Sequence, residues 1–171
     1  QAQVDSGLIQ GGVIASTLSD DIILVSRQCV KPVARPMTEE SRFDMASVGK
    51  VFTTACIVRL IIEGQVDPDV PFTRYIPEHI LGEACEITVR DLAMHVSGFD
   101  NSKPYNSFIP EVFDRELFNK RPVRPRLEAF EYACSNFITL GKIVNRISGL
   151  DLDAFARRHV WGPLGMTETT W

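Results

Sequence analysis

Phe43-Asp44-Met45-Ala46-Ser47-Val48-Gly49-Lys50 is the stretch on which the reading of this chain turns. A serine hydroxyl attacks nothing until some group takes its proton. Residues three apart share a helix face, so Lys50 would stand beside the Ser47 oxygen if the segment is helical. The run that follows, Val51 to Gly64, carries apolar residues on nearly every side and reads as a helix belonging to a core. Asp44 is the expected N-cap and Gly64 the expected stop just past the last turn. A helix N-terminus disfavours a cation, which would push an early lysine toward the neutral form that a general base requires.

The rest of the sequence bounds what such a pair could belong to. With 171 residues and 44% hydrophobic content, the chain suffices for one sizeable core. A net charge of −4 and a pI near 5.4 argue against nucleic acid as a partner. The densest basic run, Arg121-Pro122-Val123-Arg124-Pro125-Arg126, reads as a solvated, extended loop. No apolar stretch is long enough for a transmembrane helix. Cys29, Cys56, Cys85 and Cys134 are widely spaced, without a Cys-x-x-Cys pattern, and the three histidines are scattered, so no zinc site is expected. Cys56, on the apolar helix, reads as a small core residue.

Along the chain, Gly11–Thr17 and Asp21–Arg27 read as β-branched strands joined by Leu18-Ser19-Asp20 into an antiparallel hairpin. Pro32 and Pro36 lie in the loop beyond it. Thr88–His95 reads as a short helix with Thr88 at the N-cap and Asp91 at N3, stopping at Ser97-Gly98. Residues 99–108 form a polar and aromatic loop, and Pro110–Asn119 a helix. Ser135–Ser148 is an amphipathic helix stopped by Gly149, and Asp151–Val160 a second one ended by Gly162-Pro163.

Several of these stretches, taken together and in order, resemble the serine β-lactamase, penicillin-binding protein and class C-type esterase superfamily. The Ser-x-x-Lys of Ser47 and Lys50 is similar to the acylating motif of that superfamily. Gly64–Val70 with Tyr75-Ile76-Pro77-Glu78, Ile87–Phe99, Phe130-Glu131-Tyr132 with Asn136–Val144, and Gly162–Thr169 are similar to its further conserved runs.

The resemblance implies an α+β fold of the α/β sandwich type, β-lactamase/transpeptidase-like and incomplete. Residues 1–171 would form a single partial domain, with a hairpin and loop over 1–43 and a mainly helical region over 44–171. It implies Ser47 as nucleophile, with Lys50 and Tyr132 moving protons and the Ser47 backbone N–H lining half of an oxyanion hole. The substrate would be a small-molecule or peptide acyl compound: a β-lactam, a D-Ala-D-Ala peptide or an ester. His95 and Ser97 would fix their loop by hydrogen bonds, residues 101–108 would wall the cleft, and His79 and His159 would carry no chemistry. The resemblance favours an exported, periplasmic or cell-surface location, while the residues leave the cytoplasm open.

Two departures from the pattern stand out. The second motif is usually Tyr-x-Asn, and its third position here is Cys134, a substrate-binding position where a thiol cannot make an amide's hydrogen bonds. Shifting the motif to Ser135-Asn136 restores an asparagine two residues too far on. The third motif, Lys-Thr-Gly or His-x-Gly, would come later than Trp171. The expectation is therefore the N-terminal part of a larger domain whose remaining strands lie in a complementary chain, are lost, or are replaced by a partner subunit. Without them the hairpin would have open edges and the apolar helix an uncovered face. A catalytically inactive binding or regulatory protein of the same fold is the alternative.

Overall fold

A computed structural model describes residues 11–15, 22–26, 41–102 and 109–171, with the isolated residues 2, 6 and 38. It divides into two compact units, residues 1–45 and 46–171. In the first, strands β1 (Gly11–Ala15) and β2 (Ile22–Ser26) pair antiparallel, in a register that sets Gly11 opposite Ser26 and Ala15 opposite Ile22. The pairing is the hairpin expected from the sequence, while Leu18-Ser19-Asp20, Cys29, Pro32 and Pro36 fall outside the described residues.

The second unit is helical. Its α-helices are α1 (Lys50–Ile62), α2 (Val89–Ala93), α3 (Pro110–Phe118), α4 (Cys134–Ser148) and α5 (Leu152–Ala156). Helix α4 buries Ser135, Asn136, Thr139, Leu140, Ile143 and Val144, a stripe at helical spacing, against α1, α2 and α5. Around it lie Cys56, Leu60, Phe72, Leu92, Phe155 and Trp161, all essentially inaccessible to water. Gly149 ends α4 with a φ of 71°, and Gly64 follows α1 with the same value, as expected of left-handed stops.

Two expectations need correction. Helix α1 does not begin near Asp44. The chain first makes a 3₁₀ turn, Ala46–Gly49, and the N-cap position falls on Gly49, which provides no side-chain cap. The helix leaves a face uncovered, as anticipated: it buries Thr53, Cys56, Ile57 and Leu60, whereas Val51 and Ile62 are 63% and 75% exposed. Near the C-terminus, α5 is regular only to Ala156 and then widens into a π turn, Arg157–Trp161. The Gly162 N–H closes that turn on the Arg157 carbonyl at 2.8 Å. A Cβ at Gly162 would stand 2.5 Å from that oxygen, so only glycine admits the approach.

The basic run is also less solvated than expected. Arg124 pairs with Glu131, and Arg126 Nε lies 2.8 Å from Asp91 Oδ2. That carboxylate already belongs to the expected capping box of α2, in which Thr88 and Asp91 exchange side-chain and backbone hydrogen bonds. Among the described residues, no helix is long and apolar enough to cross a membrane.

Candidate active site

Ser47 lies in the 3₁₀ turn that leads into α1, and Lys50 is the first residue of that helix. In a 3₁₀ turn the side chains of residues i and i+3 eclipse, so a spacing of three stacks one directly over the other. Lys50 Nζ accordingly donates to Ser47 Oγ at 3.1 Å. Ala46, immediately before the serine, has a φ of 41°. A left-handed conformation at alanine costs on the order of 1 kcal/mol, strain of the kind held at functional turns.

Tyr132 reaches the same oxygen from the other side of the sequence. It lies in the extended stretch that precedes α4, and its hydroxyl donates to Ser47 Oγ at 2.6 Å. Lys50 Nζ also lies 4.9 Å from the centre of the Tyr132 ring and 5.8 Å from that of Phe137. Cys134, the first residue of α4, brings its Sγ to 3.7 Å from Lys50 Nζ. The structure thus gathers all four residues that the sequence singled out: Ser47, Lys50, Tyr132 and Cys134. Ser47 is exposed, and Tyr132 is 40% exposed.

Asn136 does not take the place of Cys134. Fully buried, it accepts from the Ser97 hydroxyl at 2.7 Å and directs its amide nitrogen to His95 Nδ1 at 3.0 Å. Both its polar atoms are committed inside the fold. Ser97 also accepts from the Phe99 N–H at 3.1 Å. His95 Nδ1 accepts from the Ala133 N–H at 3.1 Å, which puts the ring proton on Nε2. Its ring lies 4.7 Å from that of Tyr132 and 5.0 Å from that of Phe137. Burial first, and the Lys50 charge second, lower the His95 pKa, which keeps Nδ1 an acceptor. His95 and Ser97 therefore fix the loop by hydrogen bonds.

The other histidines pack. His79 is 3% exposed, edge-on to Phe72 at 4.9 Å, and burial pushes its pKa down to about 4. His159 stacks on Phe155 at 4.4 Å. Cys56 and Cys85 are buried, and burial pushes the Cys56 thiol up to about 11, which makes it an inert core group. No cluster of three or more His, Cys, Asp or Glu residues suited to a metal occurs among the described residues.

The sequence had placed Asn101 only in the cleft-wall loop. Its side chain in fact grips the stretch carrying Tyr132: Nδ2 donates to the Tyr132 carbonyl at 3.0 Å and Oδ1 accepts from the Cys134 N–H at 2.7 Å. Lys120, 4% exposed, went unnoticed too; its ammonium pairs with Asp100 at 2.7 Å. Burial acts to raise the Asp100 pKa, but Lys120 and Ser102 outweigh it and hold the carboxyl at about 2. The available signal was the run Asp100-Asn101-Ser102, three residues whose short side chains readily bond nearby backbone. Residues 103–108 of the expected cleft wall lie outside the described residues.

The family model described as Beta-lactamase matches residues 3–171. The chain belongs to the β-lactamase family. Among curated relatives of this β-lactamase-family chain is the "Putative D-alanyl-D-alanine carboxypeptidase" of Salmonella gallinarum. It is 26% identical over 152 residues, which are 78% of this chain and 35% of that protein. The counterpart from Salmonella schwarzengrund is 25% identical over 151 residues, with the same coverage. The chain thus spans about a third of the length of these relatives.

Among solved structures, a class C β-lactamase in complex with cefoxitin superposes with a TM-score of 0.84 at 20% identity, covering 98% of this chain and 48% of that one. Simvastatin synthase from Aspergillus terreus, in a mutant form, gives 0.74 at 23% identity, covering 97% and 47%. The octameric penicillin-binding protein homologue from Pyrococcus abyssi gives 0.74 at 20% identity, covering 97% and 41%. The β-lactamase/transpeptidase-like fold is shared with all three. This chain, mostly helical with a single strand pair among the described residues, represents part of it.

Proposed function

We propose that this chain carries the nucleophile half of a serine acyl-transfer site, working through an acyl-enzyme on Ser47. One observation carries the reading: Ser47 Oγ is held by two proton-bearing groups at once, Lys50 Nζ at 3.1 Å and Tyr132 Oη at 2.6 Å. For Oγ to attack a carbonyl carbon, one of the two must first have given up a proton, and that group takes the serine proton as the new bond forms. The pair then returns a proton to the departing group, leaving an ester on Ser47. Water attacks that ester with the same groups in reversed roles. The Ser47 backbone N–H is assigned to the developing oxyanion.

The substrate class is an acyl compound: an ester, a β-lactam or a D-Ala-D-Ala peptide. Cys134 favours the ester. Its thiol is a weak donor beside Lys50 and offers a substrate amide nothing comparable to an asparagine side chain. No cofactor or metal takes part in this scheme.

Incubation with a fluorescent penicillin and, separately, a fluorophosphonate tests the reading. Mass analysis should locate an adduct on Ser47 with at least one probe, and Ser47→Ala should remove it. If Ser47 stays unlabelled by both in a protein shown to be folded, the acyl-enzyme reading is lost and a non-catalytic binding protein of this fold takes its place.

A further inference from the structure

We propose that Asn101 is a positioning residue that sets where the Tyr132 phenol stands over Ser47. The proposal rests on the reading of Ser47 and Tyr132 as proton partners and adds a residue whose side chain touches neither reacting oxygen.

At the start of α4 the N-cap is Ala133, which has no side-chain oxygen and makes no side-chain cap. Alanine ranks among the poorest residues at that position. The N–H groups there must find partners elsewhere, and two side chains from the loop after α2 provide them. His95 Nδ1 takes the Ala133 N–H, and Asn101 Oδ1 takes the Cys134 N–H at 2.7 Å.

Asn101 does more than cap. Its Nδ2 donates to the Tyr132 carbonyl at 3.0 Å, so one planar amide spans the backbone from residue 132 to residue 134. Such a two-point grip fixes rotation of the intervening peptides as well as their distance. The Tyr132 carbonyl is one bond from the Cα that carries the phenol ring. Letting that peptide turn would swing the hydroxyl away from its 2.6 Å contact with Ser47.

The grip is itself anchored. Asp100, the preceding residue, pairs with the buried Lys120 ammonium at 2.7 Å and accepts from the Ser102 hydroxyl at 2.8 Å. Phe99 is buried, and Gly98, at a φ of 83°, lies where a Cβ would meet the Arg124 carbonyl at 2.1 Å. Asn101 is thus presented from a pinned loop. A primary amide carries, on two adjacent atoms in one plane, both the acceptor and the donor that the two backbone groups require.

The test is the rate of Ser47 labelling by a fluorophosphonate in four proteins: wild type, Asn101→Asp, Tyr132→Phe and the double variant. Asn101→Asp keeps the acceptor for the Cys134 N–H, and with it the helix start, but loses the donor to the Tyr132 carbonyl. It should slow labelling about 10- to 100-fold, the size expected when a reacting group is misplaced by about 1 Å. If Asn101 acts through Tyr132, the aspartate should cost little or nothing further in the Tyr132→Phe background. An unchanged rate in Asn101→Asp, or an undiminished penalty in the double variant, overturns the proposal while leaving the acyl-enzyme reading intact. A folded wild-type protein labelled at Ser47 by neither the fluorophosphonate nor the fluorescent penicillin overturns both. Asn101→Ala, followed by hydrogen exchange at the Cys134 amide, gives a readout independent of labelling: exchange should quicken there and remain slow in Asn101→Asp.

Discussion

At Ser47 an ammonium and a phenol converge on one oxygen, and their parts can be separated by substitutions that keep shape or charge. Tyr132→Phe keeps the ring beside His95 and under Lys50 while removing the hydroxyl that meets Ser47 Oγ. Labelling of Ser47 should fall by a factor on the order of 10² to 10⁴, the usual worth of a positioned acid or base, with the unfolding midpoint little changed. Lys50→Arg asks a sharper question, because a guanidinium keeps the charge but cannot give up or regain its proton near neutral pH. If Lys50 moves a proton, the arginine variant should be as slow as Lys50→Ala; rates close to wild type would reduce Lys50 to an electrostatic role. Ser47 and Lys50 were legible in the sequence because their relation is local, one 3₁₀ turn long. Tyr132 was legible only through resemblance, being 85 residues from Ser47. Asn101 was not legible as a grip on Tyr132, because nothing near it in the chain points to a stretch 31 residues away.

Among the helices, caps and stops made by single residues were read correctly, and the irregular turns at the start of α1 and in the last turn after α5 were not. Thr88 and Asp91 cap α2 within one turn, a pattern visible in four letters, and Gly149 stops α4 by itself. The start of α1 escaped because a 3₁₀ turn with a strained alanine replaces the cap that Asp44 was expected to supply. The stop of this last helix at Gly162 falls where expected, but its widening into a π turn escaped, because that depends on a close approach of Gly162 to Arg157, which propensity does not register. The α2 cap offers a graded test. Thr88→Ala removes one side-chain acceptor and should cost about 1 kcal/mol in urea unfolding. Asp91→Ala should cost about 2 kcal/mol or more, because the buried carboxylate also meets Arg126 at 2.8 Å and its loss strands that guanidinium. Equal losses for the two variants would mean that the Arg126 pair adds nothing to the cap.

Across the whole molecule, the titrating groups with lowered pKa values pull in one direction. His79 is 3% exposed between aromatic rings and takes up a proton only near pH 4, whereas in the unfolded chain it would do so near its ordinary 6.5. Between those values the unfolded state binds more protons than the folded one, so stability rises with pH across this window and falls as acid is added. His95, lowered by burial and by Lys50, has the same sign in the same region. Asp100, held at about 2, extends the loss below the ordinary carboxylate range, because its pair with Lys120 survives until that lower pH. The folded protein should therefore be most stable near neutrality and should weaken from about pH 6.5 downward, well before ordinary carboxylates protonate. From His79 alone, the fall between pH 7 and pH 5 should be about 2 kcal/mol, at about 1.4 kcal/mol per pH unit below 6.5. Urea midpoints measured at the two pH values check this directly. His79→Asn, which keeps a side-chain acceptor for the Leu81 N–H that His79 Nδ1 now receives at 3.3 Å, removes the titration. Its stability should change much less between pH 7 and pH 5 than that of the wild type. A wild-type profile that is flat over this range would mean that unfolding takes up no proton at His79, and a variant that falls as steeply would place the acid sensitivity at another group.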